Sequence, residues 1–255
     1  MRVPLFSCDF HIHSTLSPCS SLDMSSRAIV DRARVVGLDI IAITDHNMVE
    51  NGQYVAAAAG AAGPAVLFGM ELQTREEVHL LMLFPDFETA MEMQETVYGL
   101  LPPIDNDPDY FGDQVVVDEN DTIIRFEKRL LLNSSAISID DAVAWARAHG
   151  SLVIPSHIES PTFGLVTQLG FVSEGIPFDA LEVANERRLD AVLPFILAKD
   201  LPIVTFSDAH YLSDIGKKRI TLSCGEPTFA EVAKALRSFG NTARTRGGSA
   251  GAPLL

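Results

Sequence analysis

Seven short apolar runs, rich in Val, Ile, Leu and Phe, set the limits on what this chain can fold into. They span residues 3–11, 39–44, 65–70, 79–84, 152–155, 180–183 and 202–207. Near-continuous apolar runs of strand length are the mark of parallel strands buried on both faces. Stretches with helical spacing follow at 26–36, 49–62, 87–101, 139–149, 188–199 and 228–239. Gly37, Gly150 and Gly240 stand just past three of these stretches, where a left-handed cap is often needed. The alternation predicts an α/β architecture. Seven strands in 255 residues favour a barrel over an open sheet.

Two segments break the rhythm. Only seven residues, Leu72 to Val78, separate Glu71 from His79, too few for a parallel crossover. The fourth strand is therefore either antiparallel to the third or irregular. An antiparallel return would set His79 beside Glu71. The second break is 102–138, where Pro102-Pro103 and Asn106-Asp107-Pro108-Asp109 predict an irregular loop. Val115-Val116-Val117 and Thr122-Ile123-Ile124-Arg125-Phe126 then flank the polar turn Asp118-Glu119-Asn120-Asp121, a β-hairpin pattern. This segment reads as an insertion over one face, either a lid or a plain surface hairpin.

Bulk properties exclude several classes. No apolar run approaches the roughly 20 residues of a membrane-spanning helix. The N-terminus turns polar too soon for a signal peptide, so a cytoplasmic location is expected. Cys8, Cys19 and Cys224 are odd in number and without framework spacing, which argues against a disulfide scaffold. A formal charge of −15 argues against broad phosphate neutralisation on nucleic acid. It leaves a nuclease open, because metal ions can supply local positive charge.

The chemistry-bearing residues sit at the predicted strand ends. His11 and His13 end the first strand, Asp45 and His46 the second and Glu71 the third. His157 follows the fifth, and Asp208 and His210 follow the last. In α/β barrels the C-terminal strand ends meet at one mouth. Side chains two apart on a strand share a face, so His11 and His13 can grip one ion, and Asp208 and His210 repeat the device. Imidazole suits Zn, Fe and Mn, and Glu71 is the natural carboxylate bridge. So many nitrogen ligands exceed the capacity of one ion, which implies two or three. Taken singly, each residue has a bland reading as a cap or core histidine; their shared placement at strand ends favours a site.

The segments Asp9-Phe10-His11-Ile12-His13-Ser14-Thr15, Ile43-Thr44-Asp45-His46-Asn47, Gly69-Met70-Glu71, Pro155-Ser156-His157 and Phe206-Ser207-Asp208-Ala209-His210 resemble, in order, the motifs of the polymerase and histidinol phosphatase (PHP) family. The resemblance spans about residues 5–215. It implies a distorted (β/α)7 TIM-like barrel, a site of two or three Zn, Mn or Fe ions and hydrolysis of phosphoesters. Residues 1–240 would form one such domain, with 241–255 a flexible tail. Carried over by motif, His11, His13, Glu71 and Asp208 would hold a first ion. Glu71, His79 and His157 would hold a second, and His46 and His210 a third. The family usually supplies one more ligand to the third from the stretch after His-x-His. Leu16-Ser17-Pro18-Cys19-Ser20 departs from that pattern, placing Cys19 where many members carry His. Cys19 is then either a thiolate ligand or a buried, inert cysteine, and Asp23 is a weaker substitute.

The expected reaction is attack on phosphorus by a metal-activated water, with Asp45, Asp208 and His210 as candidates for catalytic roles. A small phosphomonoester or nucleotide is the expected substrate. The alternatives are a nuclease or nucleotidase acting on phosphodiesters and a non-catalytic metal-binding regulatory module. A nuclease would want a basic groove, for which only Arg75, Lys128-Arg129 and Arg187-Arg188 offer material. An amidohydrolase would want a bridging Lys, and no predicted strand end carries one. Specificity would lie in Gln73–Arg75, in 102–138 and in 159–163.

Overall fold

The computed structural model describes residues 3–197 and 201–244. Its main sheet has six strands: β1 (Leu5–Ile12), β2 (Ile40–Ile43), β3 (Ala65–Gln73), β4 (His79–Phe84), β7 (Leu152–Pro155) and β10 (Ile220–Ser223). They lie in the order β10-β1-β2-β3-β4-β7. β1, β2 and β3 run parallel, while β4 is antiparallel to both β3 and β7. The short 72–78 connection therefore makes the reversal its length demands. The chain turns back through a Thr74 N–H to Val78 O hydrogen bond of 3.0 Å.

The sheet curls. Asp179 N donates to Val153 O, so β8 (Leu181–Glu182) runs beside β7. β8 pairs in parallel with β9 (Ile203–Val204). Just past β9, Ala209 exchanges backbone hydrogen bonds with His11 and His13 at the end of β1. Inside the curl, Cys8, Phe10, Ile40, Ala42, Leu81, Leu83, Ile154, Ala180, Val204 and Phe206 form one buried cluster. Helices α1 (Ser26–Val36), α2 (Glu50–Ala59), α3 (Phe87–Leu100), α5 (Ile139–Ala148) and α8 (Phe229–Arg244) follow the predicted stretches. Gly37 caps α1 in the left-handed conformation at φ 72°.

The 102–138 segment holds a short helix, α4 (Pro108–Phe111), and the antiparallel pair β5 (Val115–Val117) and β6 (Ile123–Phe126). The pair is tied to the body by the Val115 N–H donating to Thr15 O at 2.8 Å.

Three features depart from the sequence reading. The helix expected over 188–199 is broken: α7 (Leu189–Val192) gives way to a 3-10 turn at Leu193–Phe195. Pro194 removes a backbone donor and clashes with the preceding turn, so the helix cannot continue. The end of that stretch, 198–200, lies outside the described residues. Helix α8 runs through Gly240 to Arg244, because an internal glycine costs only about 1 kcal/mol and does not stop a helix. The proposed tail is therefore helical over 241–244, and 245–255 lie outside the described residues. β10 and the short helix α6 (Leu165–Leu169) were not predicted.

On β3, Leu67, Gly69 and Glu71 share the inner face. A Cβ on Gly69 would meet Thr44 Cγ2 at 2.7 Å and Leu83 Cδ2 at 2.9 Å. Gly69→Ala is expected to destabilise the fold by about 1–3 kcal/mol through overpacking, read as a lower midpoint in chemical denaturation. An unchanged midpoint would show that this layer has slack.

Candidate metal centre

A β-bulge aims the first two histidines. Asp9 pairs with Ile41, but Ile12 pairs with Ile43, so β1 carries one extra residue across that step. Simple alternation would put His11 on the same face as Asp9 and opposite Phe10. The bulge flips the later residues, so that His11 and His13 stand above Phe10 on the inner side. Ile12 faces outward into the cluster with Ile29 and Ala33 of α1. Asp9, left outside, accepts hydrogen bonds from Ser207 N–H at 3.1 Å and Gly216 N–H at 2.9 Å.

Glu71 sits at the centre and is 1% exposed. Its Oε1 lies 3.0 Å from His79 Nδ1, 3.2 Å from His157 Nε2 and 3.3 Å from His11 Nε2. Its Oε2 lies 3.1 Å from His46 Nδ1 and 3.4 Å from His13 Nε2. Asp208 Oδ1 is 3.3 Å from His11 Nε2, 3.4 Å from His13 Nε2 and 3.5 Å from His210 Nδ1. His157 (φ 30°) and Asp208 (φ 50°) both adopt left-handed backbone, uncommon outside glycine although Asp and His enter it more readily than most residues. The structure thus brings His11, His13, His46, Glu71, His79, His157, Asp208 and His210 together, with His46, Glu71, His79, His157, Asp208 and His210 lining one cavity and His11 and His13 fully buried against them.

These residues fit a metal. Donors about 2.1 Å from a tetrahedral ion stand roughly 3.4 Å from one another. The separations around Glu71 and Asp208 match that spacing. His11 Nε2 and His13 Nε2 face each other at 3.2 Å, as two donors to one ion would. His46 Nδ1, although close to Glu71, is buried with no partner in hydrogen-bonding geometry. Three donor groups stand out among the described residues: His13-His46-His210, His11-His13-Asp208 and His46-Glu71-His79. This grouping divides the ligands differently from the motif carry-over, because His46 leans on Glu71 and His13 joins His210.

Electrostatics hold the two carboxylates ionised and two of the imidazoles neutral. Burial alone would raise the Glu71 carboxyl, but His79, His11 and His46 hold it well below the carboxylate range. Asp208 is depressed likewise, against burial, chiefly by His11. Burial pushes His46 well below the usual imidazole value and His210 down to about 4, aided in both by neighbouring imidazoles. Both are therefore neutral, the state that binds metal. His11 goes the other way: burial opposes it, yet Glu182, Asp208 and Glu71 hold its pKa well above the ordinary range.

Cys19 lines the cavity but is exposed rather than buried, and it joins none of the three donor groups among the described residues. Asp45 is fully buried and does not line the cavity. Its Oδ1 accepts from Ser14 N–H at 2.7 Å and Ser17 O–H at 2.6 Å, and its Oδ2 accepts from Ser14 O–H at 2.5 Å. Ser17 Oγ in turn lies 2.9 Å from His13 Nδ1 and accepts from His46 N–H at 3.2 Å. Asp45 is thus linked to His13 and to the His46 backbone through Ser17.

Sequence reasoning missed Glu182, a fully buried carboxylate against His11, while Phe163, at the end of the 159–163 loop, stacks its ring on His79 at 4.4 Å. The signal for Glu182 was present: a lone carboxylate inside the apolar run Ala180-Leu181-Glu182-Val183 must be paired to be buried.

The fold and this site define a mixed α/β protein whose curled sheet gathers a multi-histidine, metal-binding mouth. Residues 9–95, about a third of the chain, match the family model of the PHP domain. That stretch holds His11, His13, Asp45, His46, Glu71 and His79. No curated protein matches the sequence. The fold is similar to that of the lesion-specific endonuclease Q from Pyrococcus furiosus, with TM-score 0.70 and 18% identity over 92% of this chain and 56% of that one. The chain therefore spans little more than half the length of that protein. It is also similar to a candidate metal-dependent phosphoesterase from Bifidobacterium adolescentis, with TM-score 0.60 and 18% identity over 92% of this chain and 96% of that one. An amidohydrolase from Chromobacterium violaceum, its structure holding sulfate and no metal, aligns with TM-score 0.54 and 20% identity over 90% of this chain and 96% of that one. Among the described residues, no helix is long and apolar enough to cross a membrane.

Proposed function

We propose that this chain is a metal-dependent phosphoesterase acting on a small phosphomonoester or nucleotide. The observation that carries the reading is the ring of six imidazoles and two carboxylates centred on Glu71. An imidazole-rich set with few carboxylates suits Zn, Fe or Mn better than Mg or Ca. His11, His13, Asp208, His46, Glu71, His79, His157 and His210 are the proposed ligands of two or three ions. Bound ions would acidify a water and neutralise developing charge on the phosphoryl oxygens.

The chain's own residues supply the rest. Asp208 and His210 are the most exposed members of the ring, with side chains 31% and 24% accessible. They are placed to exchange protons with a substrate at the mouth. Asp45 keeps His13 oriented through Ser17. Arg188 and Asn185 also line the cavity and can donate hydrogen bonds to an anionic group. We take residues 1–240 as one domain, with β1, β2, β3, β4, β7, β8 and β9 as the seven strands of its barrel and 102–138 as the insertion.

The cavity measures about 590 Å³, the size of a small-molecule site. With a net charge of −15, this favours a small substrate over a long duplex. Phosphodiester cleavage is the second reading, and the likeness to endonuclease Q supports it. Among the described residues the cavity lining carries no Lys, which argues against a lysine-bridged amidohydrolase centre. The test is a hydrolysis screen over phosphomonoesters, dinucleotides and short oligonucleotides. Preferred release of phosphate from monoesters is expected. Preferred cutting of oligonucleotides would replace this reading with the second, and no hydrolysis at all would leave a metal-binding regulatory module.

A further inference from the structure

Glu182 is fully buried in β8 and does not line the cavity. Its Oε2 and Oε1 lie 3.0 and 3.2 Å from His11 Nδ1. The same Oε2 accepts the His157 backbone N–H at 3.3 Å. Its main-chain carbonyl accepts from Ile158 N–H at 3.0 Å. One residue therefore holds a side chain at the end of β1 and the backbone after β7. That backbone is the left-handed turn at His157.

We propose that Glu182 is a positioning residue that fixes His11 as its Nδ1–H tautomer and locks His157 in register with it. The inference deepens the phosphoesterase reading and rests on it only for the identity of the ligands. A carboxylate that accepts from Nδ1 leaves the Nε2 lone pair free, and Nε2 is the atom facing Glu71, Asp208 and His13. His13 has no such direct partner: its Nδ1 meets Ser17, and the charge of Asp45 lies one hydroxyl further away. The two histidines of the His-x-His pair are thus held differently, one by a carboxylate and one by a relay. Because Glu182 also grips the His157 turn, its loss disturbs together two donors that meet the same Glu71 oxygen, Oε1.

The test uses Glu182→Gln, which keeps shape and one acceptor but removes the charge, beside the wild type. The first readout is Zn2+ affinity, by competition with a chromophoric chelator. The second is the His11 tautomer, from imidazole 15N shifts in the metal-free protein at a pH high enough for His11 to be neutral. E182Q is expected to lose about 10–100-fold in Zn2+ affinity. It is also expected to populate the Nε2–H form of His11, while wild type holds a proton on Nδ1. A purely structural role would lower stability without moving the tautomer. Wild-type affinity together with an unchanged His11 tautomer in E182Q would overturn the proposal. Both readouts are independent of turnover: wild type that binds Zn2+ yet hydrolyses nothing would sink the phosphoesterase reading and leave this one standing.

Discussion

Glu71→Gln is expected to strip the protein of most of its bound metal and to lower turnover by about 1000-fold or more. Both carboxylate oxygens of Glu71 face imidazole nitrogens: His79, His157 and His11 at one, His46 and His13 at the other. An amide replaces one of those acceptors with a donor and removes the charge that balances bound cations. A 1000-fold loss corresponds to about 4 kcal/mol of transition-state stabilisation, within reach of a lost metal site. The measurement is metal content per chain together with initial rates on the best substrate of the screen. The metal-free variant should remain folded, because glutamine nearly matches the volume of glutamate. Full metal content and full turnover in E71Q would remove Glu71 from the centre of the account.

Asp45→Asn is expected to act differently, lowering stability first and activity second. Three donors converge on the buried Asp45 carboxylate, two from Ser14 and one from Ser17. Asparagine would aim its NH2 group at one or more of them, leaving buried polar groups unpaired at about 1–3 kcal/mol each. A total near 3 kcal/mol lowers the melting temperature by roughly 6–12 °C in a chain of this size. With Ser17 no longer held, His13 loses its orientation, and an activity loss of about 10–100-fold follows. Calorimetry and kinetics at a temperature where the variant is folded separate the two effects. A variant with wild-type stability and no activity would return Asp45 to a direct role in the reaction.

What could be read from the sequence divides along a physical line. Strand ends were legible because buried parallel strands leave long apolar runs, and ionisable residues at the close of such runs need a reason to be there. His79 was legible because seven residues cannot make a parallel crossover, and the observed register pairs it with Gln73, diagonal to Glu71. The β-bulge in β1 was not legible. No residue type announces an extra residue between Asp9 and Ile12, yet the bulge decides which way His11 and His13 point. β10 was hidden because its four residues alternate buried and exposed and pair antiparallel with β1, more than 200 residues away. Glu182 and Ser17 were passed over because sequence spacing cannot reveal a carboxylate or hydroxyl that acts through another residue. Cys19 was marked from motif position alone, and its side chain proves exposed at the cavity rather than buried.

The central claim is that the ring around Glu71 holds metal and that the metal drives phosphoester hydrolysis. Its most direct test is metal content per chain in the purified protein, with hydrolysis of a phosphomonoester followed before chelation, after chelation and after restoring Zn2+, Mn2+ or Fe2+. The account predicts two or three ions per chain, loss of hydrolysis on chelation and recovery with at least one of those ions. Hydrolysis that persists undiminished in protein shown to be metal-free would contradict it.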